Sequence, residues 1–180
     1  MGNIHAGAAL TPPFRDFVPA WVARQDWYAG EGPLRPVGYF RFSDPAGEVG
    51  VETHLLRAGE SVYQVPLTYR PAPLDGGALL TTAEHSVLGP RWIYDAVTDP
   101  VWHAAVLDLV TTGGTSEPGS RSLAAEARGE LRRAVGGPVV VELDRLVLPR
   151  PADGDVVGVV TGSWEGGSGR LAVVRPAPTG

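Results

Sequence analysis

From Val37 to Val97 the chain offers one period-two segment after another, each closed by turn residues, and no other pattern narrows its fold as much. VGYFRF (37–42) and EVGVETHLLRA (48–58) are separated by Ser43, Asp44, Pro45, Ala46 and Gly47, which predicts a hairpin. In ESVYQVPLTYR (60–70), Tyr63, Val65, Leu67 and Tyr69 share one face, with Val62, Gln64, Pro66 and Thr68 on the other. Pro66 has no N–H to give to a ladder, so this segment is expected at an edge or a bulge. ALLTTAEHSVL (78–88) follows a PAPLDGG loop, and RWIYDAV (91–97) continues after Gly89 and Pro90.

Helical spacing flanks these strands. Phe14, Phe17, Val18, Trp21, Val22 and Gln25 recur at three- and four-residue steps. Because Pro19 suits a first turn, the regular part is expected from about Pro19 to Trp27, stopped by Gly30 and Gly32. Thr98, Asp99 and Pro100 read as the start of a second helix whose apolar stripe (Val101, Trp102, Ala105, Val106, Leu109, Val110) ends at Gly113 and Gly114. Leu123, Ala127, Leu131 and Ala134 suggest a third, more exposed helix closed by Gly136 and Gly137. PVVVELDRLVLP, DVVGVVTGSW and RLAVVRP then predict a C-terminal three-strand meander with turns at PADGD and EGGSG. The expected architecture is α+β: one domain, 1–180, with an antiparallel sheet and two to three helices packed on it.

Composition excludes more chemistry than it suggests. With 180 residues, 43% of them hydrophobic, the chain can bury one sizeable core. Its net charge of -5 arises from interspersed acids and bases, so no basic stripe exists to track nucleic acid. Cysteine is absent, which removes disulfides and thiolate chemistry and leaves the cytoplasm as the expected compartment. Every base is arginine, and without lysine there is no phosphate-loop or kinase lysine and no Schiff base. The first twenty residues do not read as a secretion signal, and no apolar run is long enough to span a membrane.

Glu52 and His54 lie two apart on a strand and so share a face, a pair that can move a proton or hold part of a metal site. The solvated face of a half-buried sheet is the simpler account of them, since a metal site takes three or four ligands. Glu84 and His85 are adjacent and point to opposite faces. If their strand lies beside EVGVETHLLRA, one of the two joins Glu52 and His54. Asp95 and Asp99 flank a turn, and helix capping explains Asp99. Trp21 and Trp102 are expected in the core, whereas Trp27, Tyr28, Trp92, Tyr94 and Trp164 offer faces on which a sugar ring could stack. GxSxG, HExxH and GxGxxG are missing, so no catalytic residue, metal set or cofactor is assigned.

WVARQDWYAGEG, DPAGEVGVETHLL, YQVPLTYR and the long stretch VPLTYRPAPLDGGALLTTAEHSVLGPRWIYDAVTDPVWHAAVLDLV together resemble the N-terminal cap of actinobacterial maltokinases, over about residues 15–112. The resemblance implies a cystatin-like cap topology and a place in maltose, trehalose and α-glucan metabolism. Asp26 and Glu31 stand where that family tends to carry Arg and Lys. Residues 113–180 would hold the remaining helix and strands, too few for two kinase lobes, and show no HxD pattern. The chain is therefore similar to stand-alone cap-like proteins, implying a non-catalytic accessory or binding role. Its expected partner is a separate glucan enzyme or an oligosaccharide. The exposed edge expected at VPLTYR also suits a homodimer. The binding residues singled out are Glu52, His54, Glu84, Trp27, Trp92 and Tyr94. The rival readings are an unrecognised enzyme site around Glu52, His54 and Glu84, and a small-ligand sheet lined by Trp92 and Tyr94.

Overall fold

A computed structural model describes residues 8–119 and 123–178. The elements run β1 (Leu10–Thr11), α1 (Phe14–Val22), β2 (Arg35–Phe42), β3 (Gly50–Ala58), β4 (Ser61–Arg70), β5 (Leu79–His85) and β6 (Gly89–Asp95). After a 3-10 turn at Ala96–Thr98 come α2 (Pro100–Thr112), β7 (Glu117–Pro118), β8 (Ala125–Leu131), β9 (Val139–Leu148), β10 (Gly158–Trp164) and β11 (Gly167–Pro176). The fold is α+β: an antiparallel sheet with two α-helices packed on it.

The strand succession in the first half of the chain is as the alternation requires. β2 and β3 form the expected hairpin, β3 pairs with β4, and β5 pairs with β6. The edge expected at Pro66 is not there. β4 is interior, with β3 along one side; along the other it meets β9 at Tyr63 and β6 from Leu67 to Arg70. Pro66 falls in the gap between those two partners, where the ladder on that side is interrupted, so its missing N–H is tolerated. With both sides of β4 covered, VPLTYR offers no open edge to a second copy or a kinase.

α1 uses the expected apolar face but begins and ends earlier than Pro19–Trp27. Pro19 lies inside it, and the carbonyl that loses its bond belongs to Arg15, which faces solvent. Ala23 N–H closes the helix on Pro19 O, before the glycines at 30 and 32 are reached. α2 begins as read: Asp99 caps it by accepting the Val101 N–H, Pro100 occupies the first turn, and Gly113 at φ 62° ends it in the left-handed conformation.

The third helix is instead the strand β8. Ala125, Ala127 and Gly129 are buried at period two, while Glu126, Arg128 and Glu130 alternate outward. The i, i+4 spacing of Leu123, Ala127 and Leu131 competes with that period. What decides is α2, which lies so close that a Cβ on Gly129 would stand 2.1 Å from Leu109 O. Gly129→Ala is accordingly expected to destabilise by about 1–3 kcal/mol through overpacking. Gly136→Ala, with nothing within 4 Å of the new methyl, is expected to change stability by less than about 0.5 kcal/mol. Urea unfolding of the two variants side by side checks both.

The C-terminal strands are no meander. Their order is β9-β11-β10-β8, so β11 sits between β9 and β10, and only the β10–β11 connection at Glu165–Gly166 is a tight hairpin. The path β8-β10-β11-β9-β4-β3-β2 then curls back on itself: Tyr39 N–H of β2 donates to Leu123 O (2.9 Å), and Tyr39 bridges Ala124 at the start of β8. Inside this curl, α2 packs with Phe40, Val51, Leu55, Val160 and Val174. The opposite face of β3, β4 and β6 is covered by α1, where Val18, Trp21 and Val22 meet Leu56, Val65, Leu67 and Ile93.

Candidate ligand site beneath the first helix

Glu52 and His54 project from β3 toward α1, with His54 Nε2 3.6 Å from Glu52 Oε2. They do not sit on a solvated face. The His54 ring is packed between Phe14 (centroids 4.8 Å) and the stacked ring of Tyr39 (5.9 Å), so the pair is mostly covered. At 3.6 Å the two atoms are too far apart for a proton relay.

Glu52 opens into a cavity of about 660 Å³ bounded by the start of α1 and the sheet. Its walls combine apolar rings (Phe14, Phe42) with Tyr69 of β4, Arg41 of β2, Glu117 of β7, His85 of β5 and Arg91 of β6. Alternation explains the set: Glu52, Tyr69, His85 and Arg91 all project from the face that α1 covers. Arg41 is tied to Glu117 (Nη2 to Oε2, 3.0 Å), and Ser43 Oγ donates to the other oxygen of that carboxylate (2.6 Å). One rim is the β2–β3 loop, held by Asp44, whose carboxylate accepts the N–H groups of Ala46, Glu48 and Val49 at 2.9–3.0 Å. Burial alone would raise the Asp44 pKa, but those three N–H donors outweigh it and hold the carboxyl below its ordinary value.

Tyr69 adds a permanent donor. Burial first, and the neighbouring Glu52 carboxylate second, push its phenol well above the ordinary value, so it stays protonated at any physiological pH. Its Oη and His54 Nε2 are both buried without a hydrogen-bond partner among the described residues. His85 Nδ1 accepts the N–H groups of Val87 and Leu88 (3.2 and 3.1 Å), which selects the tautomer with its hydrogen on Nε2.

The sequence-predicted residues are divided by this geometry. Glu52 reaches the cavity and His54 lies behind it. Glu84 does not join them, because β6 and β4 separate β5 from β3 and Glu84 projects to the face opposite Ala83. Its neighbour His85 is the one that lines the cavity with Glu52. None of Trp27, Trp92 and Tyr94 lines it. Tyr94 is core: its hydroxyl accepts the Leu74 N–H (2.8 Å) and its ring lies under Gly77, anchoring the PAPLDGG loop. Trp92 alternates with Ile93 and faces away from α1. Trp27 packs between Trp21 and Tyr63 with the Arg145 guanidinium 4.8 Å from its ring centroid. The cavity lies on the other side of the sheet from Trp92 and Tyr94.

Sequence reasoning missed Phe14, Tyr69 and Arg91 as cavity walls. Each sits at the correct alternation, but only the strand order 3-4-6-5 places them around one space. Among the described residues no group of three or more His, Asp and Glu is placed to hold a metal ion, and no helix is long and apolar enough to cross a membrane.

No curated protein matches this chain. Residues 21–99 match the family model of the maltokinase N-terminal cap domain, so the stretch from Trp21 in α1 to the Asp99 cap of α2 forms a unit similar to that cap.

Proposed function

We propose that this chain is a non-catalytic binding member of α-glucan, maltose or trehalose metabolism, acting in the cytoplasm as one folded domain, and that it holds a neutral oligosaccharide beneath α1. The observation that carries this reading is the cavity of about 660 Å³, whose walls combine a carboxylate (Glu52) and a guanidinium (Arg91) with the rings of Phe14, Phe42 and Tyr69. A polyhydroxylated ligand needs donors and acceptors side by side and an apolar wall for its ring face. The cap match over residues 21–99 supports the metabolic setting. Bound sugar would leave a second enzyme of the same route free to dock on the outer surface.

Calorimetric titration with maltose, trehalose and maltotetraose tests the proposal. Intrinsic tryptophan fluorescence is a poor reporter, because no tryptophan lines the cavity. Saturable binding is expected, with Glu52→Gln weakening it about tenfold, the size of one lost charge-assisted hydrogen bond. No heat with any of the three sugars, or unchanged affinity in Glu52→Gln, would reject the site.

A further inference from the structure

A second depression, about 430 Å³, lies on the outer face of β8, β10 and β11, outside the segment that matches the cap family. Three of the four ionisable side chains on its wall are arginines: Arg128, Arg150 and Arg170, against the single carboxylate Glu126. Asp144 lies behind this wall and pairs with Arg150 and Arg170, so Arg128 is the arginine on the wall that is left without a carboxylate partner among the described residues.

The strand register arranges the wall in two rows. Thr161 of β10 is paired with Arg128 of β8 on one side and with Arg170 of β11 on the other. One step along, Ser163 is paired with Glu126 and with Ser168. Directly opposed residues hold their Cβ atoms about 4.5–5.5 Å apart, so each row is a contiguous strip across three strands. The first strip reads cation, hydroxyl, cation. The second reads carboxylate, hydroxyl, hydroxyl.

Two of the arginines are fixed in place. Asp144 takes Arg170 through Nε and Nη2 and takes Arg150 through Nη2, while Arg170 Nη1 donates to Pro151 O. One carboxylate therefore serves two guanidinium groups, and N–H donors of both remain unspent. Arg128 makes no ion pair among the described residues. Arg128 keeps its whole fork for a phosphate, and Arg170, whose Nε and Nη2 edge is held by Asp144, adds single N–H donors on the other side of the hydroxyl.

We propose that this cleft binds a phosphate monoester of a small polyol, with the phosphate over Thr161 between Arg128 and Arg170 and the hydroxyl-bearing part over Ser163, Ser168 and Glu126. Arg150 overhangs the phosphate end. The proposal stands independently of the oligosaccharide site, which lies on the far side of β4 and uses none of these residues.

The test is a titration of the full chain with inorganic phosphate, glucose 1-phosphate and glucose, followed by 1H–15N spectra that include the arginine Nε–H signals. Saturable shifts are expected at Arg128, Arg170, Thr161 and Ser163, tighter for glucose 1-phosphate than for phosphate and absent with glucose. Arg128→Ala, at a solvent-facing position, should weaken binding about tenfold without altering the spectrum elsewhere. Arg128→Lys should recover only part of it. Shifts reproduced by sodium chloride at equal ionic strength would overturn the site, as would shifts centred on Arg41 and Arg91. A poly-glutamate peptide that perturbs the same residues more tightly than glucose 1-phosphate would overturn it in favour of an acidic protein partner.

Discussion

Replacing Arg145 with alanine is expected to lower the unfolding free energy by about 3–5 kcal/mol, because it leaves a buried carboxylate without its counter-charge. Arg145 comes from β9 and Asp95 from the end of β6; their side chains are 14% and 9% exposed, and Arg145 Nη2 donates to Asp95 Oδ2. The guanidinium also lies over the rings of Trp27 (4.8 Å) and Trp21 (5.7 Å), an attraction lost with it. Burial raises the Asp95 pKa, and Arg145 holds that rise in check. In the variant the carboxyl should climb further, so stability lost at pH 7 should be partly regained on acidification as Asp95 takes up a proton. The double variant Arg145→Met, Asp95→Leu should recover most of the loss, since apolar groups of similar volume replace a buried pair at little cost. Urea unfolding at pH 7 and pH 5 checks all three statements. A single-variant loss below about 1 kcal/mol, the range of an exposed pair, would show that the contact is not a tie between β9 and the cap-like segment.

Asp99→Ala should produce the second large effect, a loss of about 3–4 kcal/mol, because one fully buried side chain does two jobs. It caps α2 through the Val101 N–H (2.9 Å) and takes Arg70 in a two-pronged bond, Nε at 2.7 Å and Nη2 at 2.8 Å. Asp99→Asn keeps an acceptor for the cap but loses the charge, and should fall between wild type and alanine. Burial would raise the Asp99 pKa, yet the bonds from Arg70 and Val101 more than offset it, leaving the carboxyl below its ordinary value. A depressed folded value means that its contribution is complete above the unfolded value of about 3.9 and is lost as pH falls through the lower folded value. Asp95 has the opposite sign: its raised value makes the charged form costly at neutral pH, and protonation relieves the protein. Wild-type stability measured from pH 7 to pH 3 should therefore fall more steeply than that of Asp99→Asn at the acid end. Parallel curves would contradict the assigned role of Asp99.

Much of the first half could be read in advance because its strands carry their own boundaries. Ser43–Gly47 ends one segment and starts another, and Asp99-Pro100 starts α2 wherever it packs. Pro66 misled because proline argues against a central strand only if both sides of that residue must join a ladder, and here the partner changes beside it. Leu123–Ala134 misled because alanine, leucine and glutamate fit either period. Only the approach of the α2 backbone to Gly129, with β10 supplying a ladder, makes the strand the lower state.

The binding residues followed the same division. That Glu52 and His54 share a face was legible from their spacing, and so was the opposition of Glu84 to His85. Which of those two would reach Glu52 depended on β6 and β4 lying between their strands, information that no local pattern contains.

The sequence by itself determined the α+β class, most of the early strands, both ends of α2 and the resemblance to a maltokinase cap, because each depends on neighbours within a few residues of one another. The tertiary structure alone decided the interior place of β4, the order β9-β11-β10-β8, the strand at β8, and the gathering of Glu52, Tyr69, His85 and Arg91 around one cavity. Strand order is set by the burial of whole faces against helices and sheets distant in the chain. Alternation states only which side a residue takes, never which strand will lie beside it.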